Sequence, residues 1–181
     1  MFAGRLPARV IFFVMQEMTK MLIEMDLPDA AAFWQLELLA SEDLPLIAAN
    51  ALERGSDSPS LRILAGEAEK VASTVGPLFL RALHELGIPL PAPASAQMTV
   101  ARFYARKILD GSLSPYEGAY RIWCDVANEA YPTEKENEVW NRLRVFVGIA
   151  SECEDNPRFQ KEYEDQIVQE AKNLLSENQF A

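Results

Sequence analysis

Apolar side chains along this chain recur at intervals of three and four, not two, and no run of alternating β-branched residues sits between turn signals. That periodicity predicts an all-α protein. A first helix is expected from Pro7, a favoured first-turn residue, with Val10, Phe13, Val14, Met18, Met21 and Leu22 on one stripe. Asp26, with Asp29 three positions on, offers an N-cap for a second helix through Ala30 to Ala40. Phe33, Trp34, Leu36, Leu38 and Leu39 leave that helix little polar circumference, which predicts a central position. A third runs from Asp43 to Glu53 and stops at Gly55, because glycine takes the left-handed conformation past a helix end without a Cβ penalty. Ser58-Pro59 starts a short fourth helix ending near Gly66. A fifth spans Glu67 to Leu86, with Gly76-Pro77 kinking or restarting it and Gly87 closing it.

Ile88-Pro89-Leu90-Pro91-Ala92-Pro93 reads as a stiff linker, since proline at every second position favours extended backbone. The expected organisation is an N-terminal helical lobe over residues 1–87, a Pro-rich linker over 88–94 and a C-terminal helical lobe over 95–181. A sixth helix spans Ser95 to Asp110. Ser114-Pro115-Tyr116-Glu117 forms a capping box for a seventh, with Tyr116, Ala119, Tyr120, Trp123, Val126, Ala127 and Ala130 at helical spacing. Thr133 to Glu136 is a second capping box, opening an eighth helix with Val139, Trp140, Leu143, Phe146, Val147 and Ala150. Asn156-Pro157 caps the last, whose stripe is Phe159, Tyr163, Ile167, Ala171 and Leu174. The sum is eight to nine helices in two small packed lobes forming one compact unit. Gly-Ser-x-Ser-Pro recurs at Gly55 and Gly111; a tight helix-turn-helix needs those residues locally, which explains the recurrence better than an internal duplication does.

Composition narrows the chemistry. The 181 residues are 49% apolar, enough for a sizeable core, and 27 acids against 17 bases give a formal charge of −10. Such a balance opposes the phosphate neutralisation that supplies most nucleic-acid affinity, so no nucleic-acid or membrane partner is expected. One histidine, His84, cannot build a di-iron bundle site or a multi-imidazole zinc centre within one chain. Cys124 and Cys153 lie on apolar patterns without a close Cys-x-x-Cys pairing and read as small buried hydrophobes. The uncharged run near the start is too short for a signal peptide, and no stretch has the length and apolarity of a membrane span, which predicts a cytoplasmic protein.

No nucleophile elbow, Gly-rich phosphate loop or zinc-protease motif is present, so no catalytic residue, metal ligand or cofactor is assigned. Carboxylate pairs such as Glu162 with Asp165, or Glu134 with Glu138, have the spacing for acid–base work but read first as solvated faces. Arg121 and Asp125 have i,i+4 ion-pair spacing, and Arg102 with Arg106 mark a polar face. Tyr116, Tyr120, Trp123 and Trp140 read as a core stripe, with Trp123 the least exposed. From Glu152 to Asp165 six acids, Glu152, Glu154, Asp155, Glu162, Glu164 and Asp165, face two bases, Arg158 and Lys161, a local balance of −4. A field of that sign steers a basic protein partner.

Ile108-x-Asp110-Gly111, Pro115-x-Glu117-x-Ala119-x-x-Ile122-Trp123 and Phe146-Val147-Gly148-x-Ala150-Ser151-Glu152-x-Glu154-Asp155-x-Pro157 together give a pattern over roughly residues 101–175. It resembles a group of uncharacterised small bacterial helical proteins sharing Gly...Pro-x-Glu...Ile-Trp and Ala-Ser-Glu-x-Glu-Asp. The resemblance implies a bacterial cytosolic setting and a self-contained helical domain, and brings no activity or residue role. The expected function is a non-enzymatic protein-interaction module, in one version an immunity-type or inhibitor protein that neutralises a basic partner through its acidic face. The alternative is a small-molecule binder or enzyme with a cleft between the lobes, walled by Tyr116, Glu117, Tyr120 and Trp123.

Overall fold

A computed structural model describes residues 21–127 and 136–176, without the side chains of Glu136 and Asn137. Every regular element among them is helical. The helices are α1 (Leu27–Gln35), α2 (Leu44–Glu53), α3 (Pro59–Ala65), α4 (Ala72–Glu85), α5 (Pro93–Leu109), α6 (Pro115–Arg121), α7 (Glu136–Asp155) and α8 (Gln160–Ser176). Short 3₁₀ turns precede α2 and α8, and α6 continues as a π-helix over Ile122–Ala127. Of the helix expected from Pro7, only its end at residues 21–24 is described, and the Thr133 capping box lies outside the described residues.

The chain divides into two compact units. The first holds residues 21–31 and Leu39–Leu90; the second holds Ala32–Leu38 and the described residues from Pro91 onward. In the first unit α2, α3 and α4 pack on one another around Leu44, Ile47, Leu61, Leu64, Val75 and Phe79, all fully buried. The α3 start is tied to α4 by a tertiary cap. Glu85 accepts from the Ser60 amide at 2.9 Å and from the Ser60 hydroxyl at 2.7 Å, bonds that hold its carboxyl below the ordinary value. Arg54, just past α2, donates to the carbonyls of Ile23 and Met25, which a preceding helix end leaves without intrahelical donors. In the second unit α5, α6, α7 and α8 enclose Val100, Phe103, Ile122, Val126, Leu143, Phe146 and Ile167.

Most helix ends obey the local signals. Asp26 Oδ1 accepts from the Asp29 amide at 2.8 Å, and Ser58 Oγ and Ser114 Oγ each accept at 3.2 Å from the amide three residues on. Gly55 and Gly111 both have positive φ, at +94° and +78°, so the two Gly-Ser-x-Ser-Pro segments do the same local work. Asn156 departs from expectation. Its side chain donates back to Glu152 at 2.9 Å and makes no cap bond to the following turn.

Two boundaries differ for physical reasons. The fifth expected helix starts at Ala72 and not at Glu67, which leaves Pro77 only five residues in, where its missing donor forfeits a single bond, to Ser73. The second stops at Gln35 and not at Ala40: Leu38 donates to Phe33 at 2.9 Å and Glu37 to Trp34 at 3.1 Å around Glu37 at φ +57°. This is a Schellman end built without glycine. Left-handed strain costs a non-glycine residue about 1–2 kcal/mol, and a glycine would give back about 0.4–1 kcal/mol as unfolded-chain freedom. Glu37→Gly should therefore stabilise the protein by about 0.5–1 kcal/mol; a thermal midpoint that stays put or falls would contradict that account of the turn.

Candidate functional site

Every residue in the two candidate sets belongs to the second unit. Ser114 fixes where α6 begins, so Tyr116 stands in its first turn, Tyr120 one turn later and Trp123 at the start of the π segment. The Tyr116 and Tyr120 rings lie 6.1 Å apart and tilted by 32°, and Trp123 meets Tyr120 edge-on, also at 6.1 Å. The expected core stripe is corrected here. Tyr120 is 43% exposed, Tyr116, Trp123 and Trp140 are half-buried, and Glu117 is exposed. Ala119, Ile122 and Val126 take the inward positions, so the aromatic side chains stand on the rim of the buried arc as a ledge.

The acids are carried by the last turn of α7 (Glu152, Glu154, Asp155) and the first turns of α8 (Glu162, Glu164, Asp165). Glu164 is half-buried and the other five are exposed. Tyr116 OH donates to Glu154 Oε1 at 2.6 Å, so the aromatic ledge and the acidic face meet at one hydrogen bond. That bond, with some burial, pushes the Tyr116 hydroxyl up to about 12, keeping it a donor at neutral pH. Glu152 accepts from Asn156 at 2.9 Å and from Tyr163 OH at 3.4 Å, and Gln160 donates to Glu164 at 2.8 Å. Burial, then the Glu152 charge, raises the Tyr163 hydroxyl as well. Among the described residues neither Arg158 nor Lys161 forms an ion pair with these carboxylates, so the field is not cancelled locally. Phe159, expected on the core stripe, is 51% exposed beside them because a 3₁₀ turn precedes α8 and puts it out of phase with Ile167.

Beneath the ledge, Tyr104 of α5 donates to Asp125 Oδ2 at 2.6 Å. Asp125 sits in the π segment, where the register slips by one residue, and no ion pair joins it to Arg121. The expected Arg121–Asp125 pair is thus replaced by a tyrosine–carboxylate bond. Burial, then the Asp125 charge, holds the Tyr104 hydroxyl well above its ordinary range. Tyr104→Phe leaves that carboxylate without its donor and should cost about 1.5–3 kcal/mol, the value of a hydrogen bond to a charged group. Urea unfolding of the variant with an unchanged midpoint would refute that.

Cys153 is buried as expected, whereas Cys124 is half-buried, and its thiol, one turn from Tyr120, raises the Tyr120 hydroxyl. Glu162 and Asp165 both face solvent; Glu134 lies outside the described residues, and Glu138 pairs with Arg142 at 3.2 Å. No group of three potential metal ligands occurs among the described residues, and none of their helices is long and apolar enough to cross a membrane. Tyr163 and Asp125 had no sequence signal as members of this region: their partners lie 11 and 21 positions away. Comparison with family models, curated proteins and solved structures gives no match.

Proposed function

We propose that this chain is a non-enzymatic protein-interaction module of the bacterial cytosol, of the immunity or inhibitor type, that binds a basic protein. The observation that supports this most is the Tyr116–Glu154 bond, which sets a half-buried aromatic ledge, with Tyr120 exposed on it, against the acidic face. Tyrosine and tryptophan are the residues that most often carry binding energy at interfaces, because they bury large area at low entropic cost and keep a polar tip. The carboxylates supply what rings cannot, a field that accelerates encounter with a positively charged surface and rejects acidic competitors. Tyr116 and Tyr163 hold Glu154 and Glu152 in fixed positions, which lowers the ordering cost of binding.

The test is co-purification at low salt from the native host, with wild type beside a Glu152→Lys, Glu154→Lys, Asp155→Lys variant. A basic partner should accompany the wild type, fall away as salt screens the field, and be lost from the variant. Tyr120→Ala should weaken the same complex at least about tenfold. Tyr120 is exposed, so its replacement should move thermal stability by no more than about 0.5 kcal/mol, whereas the triple variant also gives up the bonds that Tyr116, Asn156 and Tyr163 donate to Glu154 and Glu152 and is compared only where its helical circular dichroism matches the wild type. Recovery of the same partner by the charge-reversed variant, or a partner that is itself acidic, would overturn the reading.

A further inference from the structure

Long-range attraction to an acidic face does not distinguish arginine from lysine, since both carry one positive charge. The geometry beside Glu154 does. Tyr116, Tyr120 and Trp123 follow one another along α6 and the π segment, so their rings stand in one row. Tyr116 and Tyr120 are inclined by only 32° at 6.1 Å, and Trp123 meets Tyr120 at 69°. The row makes a shelf on which Tyr120 is 43% exposed. A cage for a methylated ammonium needs rings on several sides, which a single row does not supply. Tyr116 OH donates to Glu154 Oε1, and among the described residues nothing donates to Oε2. After the Cys124 thiol and partial burial, the Glu154 charge also raises the Tyr120 hydroxyl, so that carboxylate stands within reach of both rings.

We infer that this shelf takes an arginine side chain of the basic partner, its guanidinium flat on the Tyr116–Tyr120 pair and one N–H donated to Glu154 Oε2. This rests on the chain being a binder of a basic protein, as proposed above, and specifies which side chain is read. A guanidinium is planar and weakly hydrated, so it can lie on an aromatic face and still direct N–H groups sideways in its own plane. An ammonium is compact and strongly hydrated; it gives up more water to meet a ring and has no flat face to stack. Tyr116 does two things here: its ring extends the shelf, and its hydroxyl holds the carboxylate that would accept from the guanidinium edge. A charge-assisted bond at that edge then fixes the arginine in one orientation. Glu152 and Asp155 add field without discriminating between the two cations.

Titrating the ¹⁵N-labelled full chain with capped tri-arginine, tri-lysine and tri-citrulline tests it. The first two carry the same charge, so the acidic face attracts them alike; tri-citrulline keeps the shape of tri-arginine and loses the charge. Tri-arginine should shift the Tyr116, Tyr120 and Glu154 amides saturably and bind at least about threefold more tightly than tri-lysine, the scale of an exposed cation–π contact. Tri-citrulline should not bind. Tyr120→Leu, which keeps apolar bulk and every charge, should bring the two cationic peptides to within about 1.5-fold of each other. Glu154→Gln, whose amide oxygen still accepts from Tyr116, should weaken tri-arginine at least about threefold. Equal affinity for the two cationic peptides, a preference that survives Tyr120→Leu, an affinity for tri-arginine unchanged in Glu154→Gln, or shifts that fail to saturate would each overturn the arginine shelf, even where co-purification does recover a basic partner. Preferential tri-arginine binding without a basic partner in the co-purification would uphold the shelf and remove the proposed function.

Discussion

Gly118→Ala should destabilise the protein by about 1–3 kcal/mol, the opposite sign to an ordinary glycine-to-alanine change inside a helix. Gly118 lies in α6 where it crosses α5, and a Cβ built there would overlap Cγ1 and Cδ1 of Ile108, itself only 5% exposed. Both clashing atoms belong to one side chain. In an Ile108→Ala background the overlap disappears, and Gly118→Ala should then be neutral or stabilising by up to about 1 kcal/mol, the intrinsic helix preference. The two single costs should therefore not add, and a double-mutant cycle by urea unfolding reads the coupling directly. Additive costs would show that α5 and α6 do not approach as closely as the backbone geometry requires.

The largest expected loss is at Phe33. Its ring stands 5.1 Å from Phe103 and 5.7 Å from Tyr104, edge-on to both, and Phe103 is 5.9 Å from Tyr104. Arg106 and Lys107 lie over the Phe103 ring at 5.8 and 5.6 Å, adding cation–π attraction to the trio. Phe33 is 5% exposed, and truncating a buried phenylalanine to alanine costs about 3–5 kcal/mol through lost transfer energy and the cavity left behind. Phe33→Ala should lower the midpoint by about 2–4 °C for each kcal/mol, and Phe33→Leu, which leaves a smaller void, by clearly less. A Phe33→Ala cost below about 1 kcal/mol, the scale of a surface change, would mean that Ala32–Leu38 does not belong to the second unit.

Helix identity was legible because it rests on local chemistry. Ser58, Ser114 and Asp26 cap where side-chain oxygens sit three residues before unpaired amides, and Gly55 and Gly111 stop helices because their φ is positive. The core of α7 was legible for the same reason: Val139, Leu143, Phe146 and Ala150 are spaced for one face and all are buried. The end of α1 was not, since Glu37 adopts a left-handed φ that no side-chain preference announces. Nor was the π segment after Arg121, which rewrote the partner of Asp125.

For the candidate site, the sequence supplied both residue sets but not their junction. Tyr116 and Glu154 are 38 positions apart, and spacing within a helix carries no information about which neighbouring helix its rim will meet. The same limit applied to exposure: the stripe from Tyr116 to Ala130 was visible, but only packing put Ala119, Ile122 and Val126 at the centre of the buried arc and left Tyr120 in solvent. What the amino-acid order decided by itself was where helices form and which charges they carry, because backbone capping and side-chain periodicity act over four residues. Tertiary packing alone decided that Ala32–Leu38 joins the residues from Pro91 onward and that a tyrosine clasps an acid 38 positions away, because such contacts depend on distances the linear chain does not encode.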